Sequence, residues 1–236
     1  MELYNGDCLK IMQQLIDKKI KVDACITDPP YNISRPNNFQ TMTCSRIGMD
    51  FGEWDKDFNL TSWITPMSKL LKENANVVIF NAWENLKEIK NACEQNNIFI
   101  KRCLVLNKSN PAPFNRDRMF VNDCEFALWG IYNSKGKPTG WTFNRKNSLE
   151  KCCINTTVQS SDLHPTMKDI KVIKYLVELL SNKGETVLDC FMGSGTTGLA
   201  CKELERDFIG VEIAEKYFAI AKNRIENTKI QGELLL

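Results

Sequence analysis

Short runs of branched and aromatic residues alternate along the chain with stretches whose apolar positions recur every three or four residues. The runs at 22–27, 77–80, 98–106, 125–129, 186–188 and 208–211 are bounded by polar residues and read as strands. Helical spacing is carried by 60–71, 84–94, 169–180, 196–203 and 214–227. Strand and helix in alternation predict an α/β fold, a mostly parallel sheet with helices on both faces. Two stretches break the pattern. Residues 32–58 and 132–163 are polar and rich in Asn, Ser, Thr, Gly and Lys, and they are long for connections in a compact domain, so they are expected to be functional loops or flexible segments.

With 236 residues, 43% of them hydrophobic and 25% charged, the chain can bury one good core, and a single domain over 1–236 is expected. No stretch approaches the roughly 20 apolar residues that span a bilayer, and Met1 leads straight into Glu2-Leu3-Tyr4 without a basic region or signal core. A cytoplasmic protein with no membrane partner is the expectation. The ten cysteines sit mostly inside apolar runs, as in Ala24-Cys25-Ile26 and Asp189-Cys190-Phe191, with no Cys-x-x-Cys pair and His164 as the only histidine. Reduced thiols are therefore expected, and no metal site. Net charge is only +2, but between Lys101 and Lys151 ten basic residues face four acidic ones, as on a surface that meets phosphate.

Three clusters carry chemistry. Asp28-Pro29-Pro30-Tyr31 directly follows the run 22–27, and in an open α/β sheet ligands bind beyond the carboxyl ends of strands. Proline cannot donate a hydrogen bond, which leaves the Pro29 carbonyl free as an acceptor. Methylating a base amine needs two such acceptors, because the nitrogen lone pair is delocalised into the ring until both N–H groups are held, here by the Asp28 carboxylate and the Pro29 carbonyl. Tyr31 offers a stacking surface, and stacking of about 1–3 kcal/mol offsets much of the few kcal/mol needed to extrude a base. Read alone, the tetrapeptide is also an ordinary turn after a strand.

The second cluster, Asp189-Cys190-Phe191-Met192-Gly193-Ser194-Gly195-Thr196-Thr197, lies between a strand and a helix, where glycines admit a ligand close to the backbone. Glu212 closes the next strand, where an acid grips ribose hydroxyls in nucleoside-binding folds. Third, Asn5-Gly6-Asp7-Cys8-Leu9 offers Asp7, with Cys8 beside it, to a cofactor adenine; without context Asp7 reads as a helix cap.

Together these residues resemble the amino-methyltransferases of DNA, in the permuted beta group whose catalytic tetrapeptide precedes the cofactor loop. The likeness covers nearly the whole chain. It implies a Rossmann-like S-adenosylmethionine-dependent methyltransferase fold with circularly permuted motif order. Asp28, Pro29, Pro30 and Tyr31 match the catalytic motif, and Phe191 to Thr196 matches the family's Phe-x-Gly-Ser-Gly-Thr loop for S-adenosylmethionine. His164-Pro165-Thr166 is similar to the family's His-Pro-Thr-Gln-Lys-Pro, beside the methionine end of the cofactor. Lys108-Ser109-Asn110-Pro111-Ala112-Pro113, then Arg116, Arg118, Phe120, Asn122, Glu125 and Leu128-Trp129, resembles the solitary cell-cycle-regulated adenine methyltransferases and those of some restriction systems, as does Gly52-Glu53-Trp54-Asp55-Lys56. The chain departs from the family at Met167, Asp169 and Cys190, where Gln, Pro and Pro are usual. It also ends soon after its last helical stretch, so no carboxy-terminal DNA-binding extension is expected.

The resemblance implies a site-specific DNA methyltransferase acting on N6 of a flipped adenine, by direct in-line transfer and without a covalent enzyme intermediate. No Pro-Cys dipeptide of the kind used for cytosine C5 methylation occurs. Cofactor contacts are expected from Asp7, Cys8, His164, Pro165, Thr166, Asp189, Phe191, Gly193, Ser194, Gly195, Thr196, Thr197 and Glu212. DNA contacts are expected from Asn32, Lys108, Asn110, Arg116 and Arg118, and DNA recognition from the insertions at about 32–58 and 132–163. Expected partners are DNA, a cognate restriction endonuclease and a second copy in a homodimer. N4 of cytosine is the nearest alternative substrate. Methylation of RNA or protein glutamine, whose enzymes usually carry Asn first and place the motif after the cofactor loop, and a catalytically silent DNA-binding module are more distant ones.

Overall fold

The computed structural model describes residues 1–32, 57–111, 117–157 and 167–229. Its central strands form where the sequence is mostly apolar, because a strand covered on both faces has little polar side to show. β2 (Val22–Thr27) and β7 (Thr186–Asp189) are of this kind, with nearly every residue buried, and the one charged residue within β2, Asp23, pairs with Lys72 at 2.7 Å. They pair in parallel at the middle of an eight-stranded sheet, completed among the described residues by β1 (Glu2–Asn5), β3 (Leu71–Asn81), β4 (Ile98–Lys108), β5 (Cys124–Tyr132), β6 (Cys153–Thr156) and β8 (Asp207–Glu212). The strand order is β1-β8-β7-β2-β3-β5-β4-β6. Every pairing is parallel except those of β5, which runs antiparallel to both β3 and β4.

Helices cover both faces. α1 (Cys8–Asp17), α2 (Ile64–Leu70) and α3 (Leu86–Gln95) bury Met12, Leu15, Trp63, Met67 and Ile89 against Cys25, Val77 and Ile79. On the other face α4 (Ile170–Leu180), α5 (Thr196–Glu203) and α6 (Glu215–Asn227) bury Ile173, Val177, Ala200 and Ile225 against Ala24, Ile26, Val78 and Phe80. The alternation of core side along β3 is the period of two of an extended chain.

The sequence pattern places β2 and α5 at their observed bounds and most other elements within a few residues. It misses β1, α1 and β6. β1 and β6 are the edge strands, four residues each and half-exposed, so they lack the apolar run that marks a buried strand. The expected irregular stretch 132–163 thus contributes β6 to the sheet. The helix expected over 60–71 is shorter, and Leu71 instead opens β3, the chain turning from helix to strand with no glycine or proline between. At the departure Asp169, the carboxylate caps α4 through the Lys171 N–H at 2.9 Å and accepts the Thr156 hydroxyl at 3.1 Å, so it ties β6 to α4, which a proline could not do.

From β2 the chain proceeds to β3 on one side, and from β7 to β8 on the other. The strand order therefore reverses between β2 and β7, and the crevice beyond their carboxyl ends is where open α/β sheets hold ligands.

Candidate active site at the carboxyl edge of the sheet

One residue staples the two halves of this crevice. Thr27, the last residue of β2, donates its hydroxyl to Asp189 Oδ1 at 2.8 Å and accepts the Cys190 N–H at 3.2 Å. The family's usual proline at position 190 could not make the second bond. Asp189 is 3% exposed and also accepts the Phe191 N–H at 3.1 Å. Burial pushes its carboxyl up to about 6, against hydrogen bonds from Thr197 and Thr27 that pull it down.

An acid raised in the fold holds a proton that the unfolded chain has already lost, so this group contributes stability below about pH 4 and loses it as pH rises through about 6. A rise of this size corresponds to about 3 kcal/mol. Urea unfolding from pH 4 to 7 should therefore show the parent weakening relative to Asp189→Asn across this window. Parallel pH profiles for the two proteins would place the buried proton elsewhere.

Asp28, one step past Thr27, has both oxygens engaged. The Tyr31 hydroxyl donates to Oδ1 at 2.6 Å, and Lys168 Nζ donates to Oδ2 at 2.6 Å. Lys168 also stands 3.6 Å from Glu125 Oε2, and Lys108 binds Glu125 Oε1 at 2.7 Å. Charges thus alternate from the crevice to the end of β4: Asp28, Lys168, Glu125, Lys108. Burial pulls the Lys168 ammonium down, but Asp28, Tyr31 and Glu125 outweigh it and hold it well above the usual lysine range. Burial likewise pushes Glu125 up, and Lys168 with Lys108 reverses this, leaving the carboxyl below its ordinary value. Tyr31 is held well above the usual phenol range by burial and by the Asp28 charge. Its carbonyl accepts the Asn85 amide at 2.7 Å, and Pro29 is buried, so the tetrapeptide backbone is fixed from behind.

The glycine loop lies beside it. Gly195 has φ +82°, and a Cβ there would stand 2.9 Å from that of Ala221, so only glycine lets α6 close on the start of α5. Glu212 reaches back from the end of β8: Oε2 accepts the Gly193 N–H at 2.9 Å and Oε1 the Ala214 N–H at 2.8 Å. Burial raises its carboxyl above the ordinary value. With the Ile213 N–H also bonded to this carboxylate, one of its four lone-pair positions remains for a hydroxyl. Gly6 N–H meets the Glu212 carbonyl at 3.0 Å, which brings the turn before Asp7 and Cys8 alongside. Asp7 caps α1 through the Lys10 N–H at 3.0 Å. Phe191 is packed edge-on against Phe58 and Trp63, with ring centroids 5.5 and 5.3 Å apart. A half-buried carboxylate at the end of β8, a glycine turn opening a helix and an aromatic wall suit a nucleoside with vicinal hydroxyls.

Not every expected contact faces this crevice. Thr197 bonds Asp189 inside the fold, and Ser194 and Thr196 are buried. Asn32 gives its amide to the Phe58 carbonyl at 2.6 Å and accepts the Phe58 N–H at 2.9 Å. Lys108 is paired with Glu125. Arg118 and Asn110 are exposed at the β4–β5 connection, at the same edge of the sheet. His164, Pro165, Thr166 and Arg116 lie outside the described residues, as does 33–56 of the first expected insertion. Lys168 and Asn85 went unnoticed in the sequence. For Lys168 a signal existed, since it stands at the lysine of the His-Pro-Thr-Gln-Lys-Pro pattern that His164-Pro165-Thr166 resembles.

A family model described as "DNA methylase", for N6 and N4 methyltransferases, matches residues 22–223. The Type II methyltransferase M2.DpnII of Streptococcus pneumoniae is 29% identical, over 96% of this chain and 90% of its own length. The Type II methyltransferase M2.MboI of Moraxella bovis is 28% identical, over 94% of this chain and 86% of its own. Among solved structures, the M1.HpyAVI–SAM complex is 34% identical with a TM-score of 0.78, covering 95% of this chain and 98% of that one. The cytosine-N4-specific PvuII DNA methyltransferase, 16% identical, shares the fold with a TM-score of 0.70, over 98% of this chain and 88% of that one. The chain belongs to the DNA methylase family whose members modify base amines, and S-adenosylmethionine is its cofactor.

Proposed function

We propose that the enzyme methylates N6 of an adenine extruded from DNA, with Asp28 and the Pro29 carbonyl as acceptors for the two amine hydrogens. The observation that carries this reading is the Thr27–Asp189 staple, which fixes the Asp28 tetrapeptide beside the glycine loop. S-adenosylmethionine supplies an electrophilic methyl group on a sulfonium. Held by two acceptors, the amine would turn its lone pair out of the ring and take up the methyl in line as the methyl–sulfur bond breaks to leave a thioether, and would then shed one proton to solvent; most of the rate would come from this positioning. Tyr31 presents its ring to the base when its hydroxyl leaves Asp28 Oδ1. Glu212 grips the cofactor ribose, and Asp7 stands ready for the adenine ring.

Arg118 and Asn110, at the edge where a duplex would approach, are assigned to DNA, where phosphates take most protein hydrogen bonds. Since the relatives are named type II methyltransferases, a cognate endonuclease is the proposed biological partner, and the cytoplasm the proposed compartment. No helix among the described residues is long and apolar enough to cross a membrane.

The test is transfer of labelled methyl from S-adenosylmethionine to duplex DNA, followed by nucleoside chromatography. Label in N6-methyldeoxyadenosine is the expected result. Label in N4-methyldeoxycytidine moves the substrate to cytosine, and unlabelled DNA with labelled RNA or protein overturns the assignment.

A further inference from the structure

We propose that Lys168 is a positioning residue for Asp28: it pins one carboxylate oxygen so that the other turns to the target amine. The inference rests on reading Asp28 as the acceptor of that amine.

A free aspartate side chain rotates about two bonds, and either oxygen, in a range of directions, could meet a ligand. Here the choice is removed. Lys168 Nζ holds Oδ2 at 2.6 Å, and Oδ1 is left to the Tyr31 hydroxyl at the same distance. The ammonium is itself held from several sides. Its side chain is 10% exposed, Glu125 Oε2 lies 3.6 Å away, and the ring centroids of Tyr31 and Phe80 are each 5.4 Å from Nζ. Glu125 is in turn fixed by Lys108.

The two bonds to Asp28 differ in how readily they are exchanged. The Tyr31 bond joins neighbours in one loop and must yield when a base stacks on the ring. The Lys168 bond comes from the residue before the α4 cap, across the crevice, and is charge-assisted, so it persists. The arriving amine therefore replaces a hydroxyl as donor to Oδ1, and the carboxylate need not turn. A lysine suits this task because its cation is compact and donates along several directions, so it can serve Asp28 and Glu125 together.

The experiment compares Lys168→Arg, Lys168→Gln and Lys168→Met with the parent and with Asp28→Ala, measuring kcat and KM for DNA, and cofactor affinity by calorimetry. Misplacing a reacting group by an ångström costs about 10²-fold, so Lys168→Met should lower kcat by about 10–100-fold with cofactor affinity and the KM for DNA nearly unchanged. Lys168→Arg should recover most of the loss, and Lys168→Gln should fall between. If kcat and cofactor affinity fall together in all three variants, Lys168 is a structural cation and the proposal is wrong. It is equally wrong if Lys168→Met keeps parental kcat while Asp28→Ala is inactive. An active Asp28→Ala would instead overturn the reading of the site beneath it.

Discussion

Asp28→Ala is expected to abolish methyl transfer at saturating cofactor and DNA while cofactor affinity stays nearly parental. The carboxylate sits just past β2, whereas Glu212 and the glycine loop, the residues proposed for the cofactor, follow from β8 and β7, so the change leaves them in place. Losing one preorganised hydrogen-bond partner at a reacting centre lowers the rate by about 10²–10³, and here the partner also frees the lone pair that attacks. The structure adds a sharper expectation for Asp28→Asn. Lys168 would draw the amide oxygen, which turns the NH2 group toward the incoming amine, donor against donor. Asparagine should accordingly be about as inactive as alanine despite its near-identical shape. Single-turnover assays with labelled cofactor, beside calorimetry, check both. An alanine variant with more than about a tenth of parental activity would remove Asp28 from the mechanism.

Glu212→Ala should show the reverse pattern, with weak cofactor binding and a rate that largely recovers at saturation. A charge-assisted hydrogen bond to a ribose hydroxyl contributes roughly 1.5–3 kcal/mol, hence about a 10- to 100-fold loss of affinity. The loss should reach the upper end of that range, because Glu212 also accepts the Gly193 and Ala214 N–H groups and so braces the loop that the cofactor meets. Glu212→Gln separates the two contributions. Its oxygen can serve one N–H, but its amide nitrogen faces the other as a second donor, so it should recover little. Unchanged affinity in the alanine variant would mean that β8 does not end at the ribose.

What the sequence discloses here is what lies contiguous in it. β2, β7 and β8 are mostly apolar runs, each leading into the acid or tetrapeptide that defines the candidate site, so element and chemistry are read from the same few residues. Partnerships over long separations are not legible in this way. Asp28 and Lys168 are 140 positions apart, and a lysine in a polar stretch reads as solvated until α4 carries it across the crevice. The partners of Lys108 and Asn32, which are Glu125 and Phe58, are hidden in the same way, since in the sequence both residues read only as available to DNA. The reversal of β5 is equally hidden, since the apolar pattern of a buried strand is the same in either direction. Thr27 passes unremarked as the last residue of a strand, although its single hydroxyl joins the two halves of the site.

The side chain of Asn32 grips the backbone of Phe58 at two points, so the two ends of the connection from β2 towards α2 are tied in one narrow neck. The tie fixes the separation of the two ends whatever the number of residues that join them. Closing a loop becomes harder only slowly with its length, by about 0.6 kcal/mol for each doubling, and with the neck already tied the strands do not register the change. A change in the number of residues between Asn32 and Phe58 should therefore leave Asp28 and Tyr31 where they stand, because the connection begins and ends at the same two bonds.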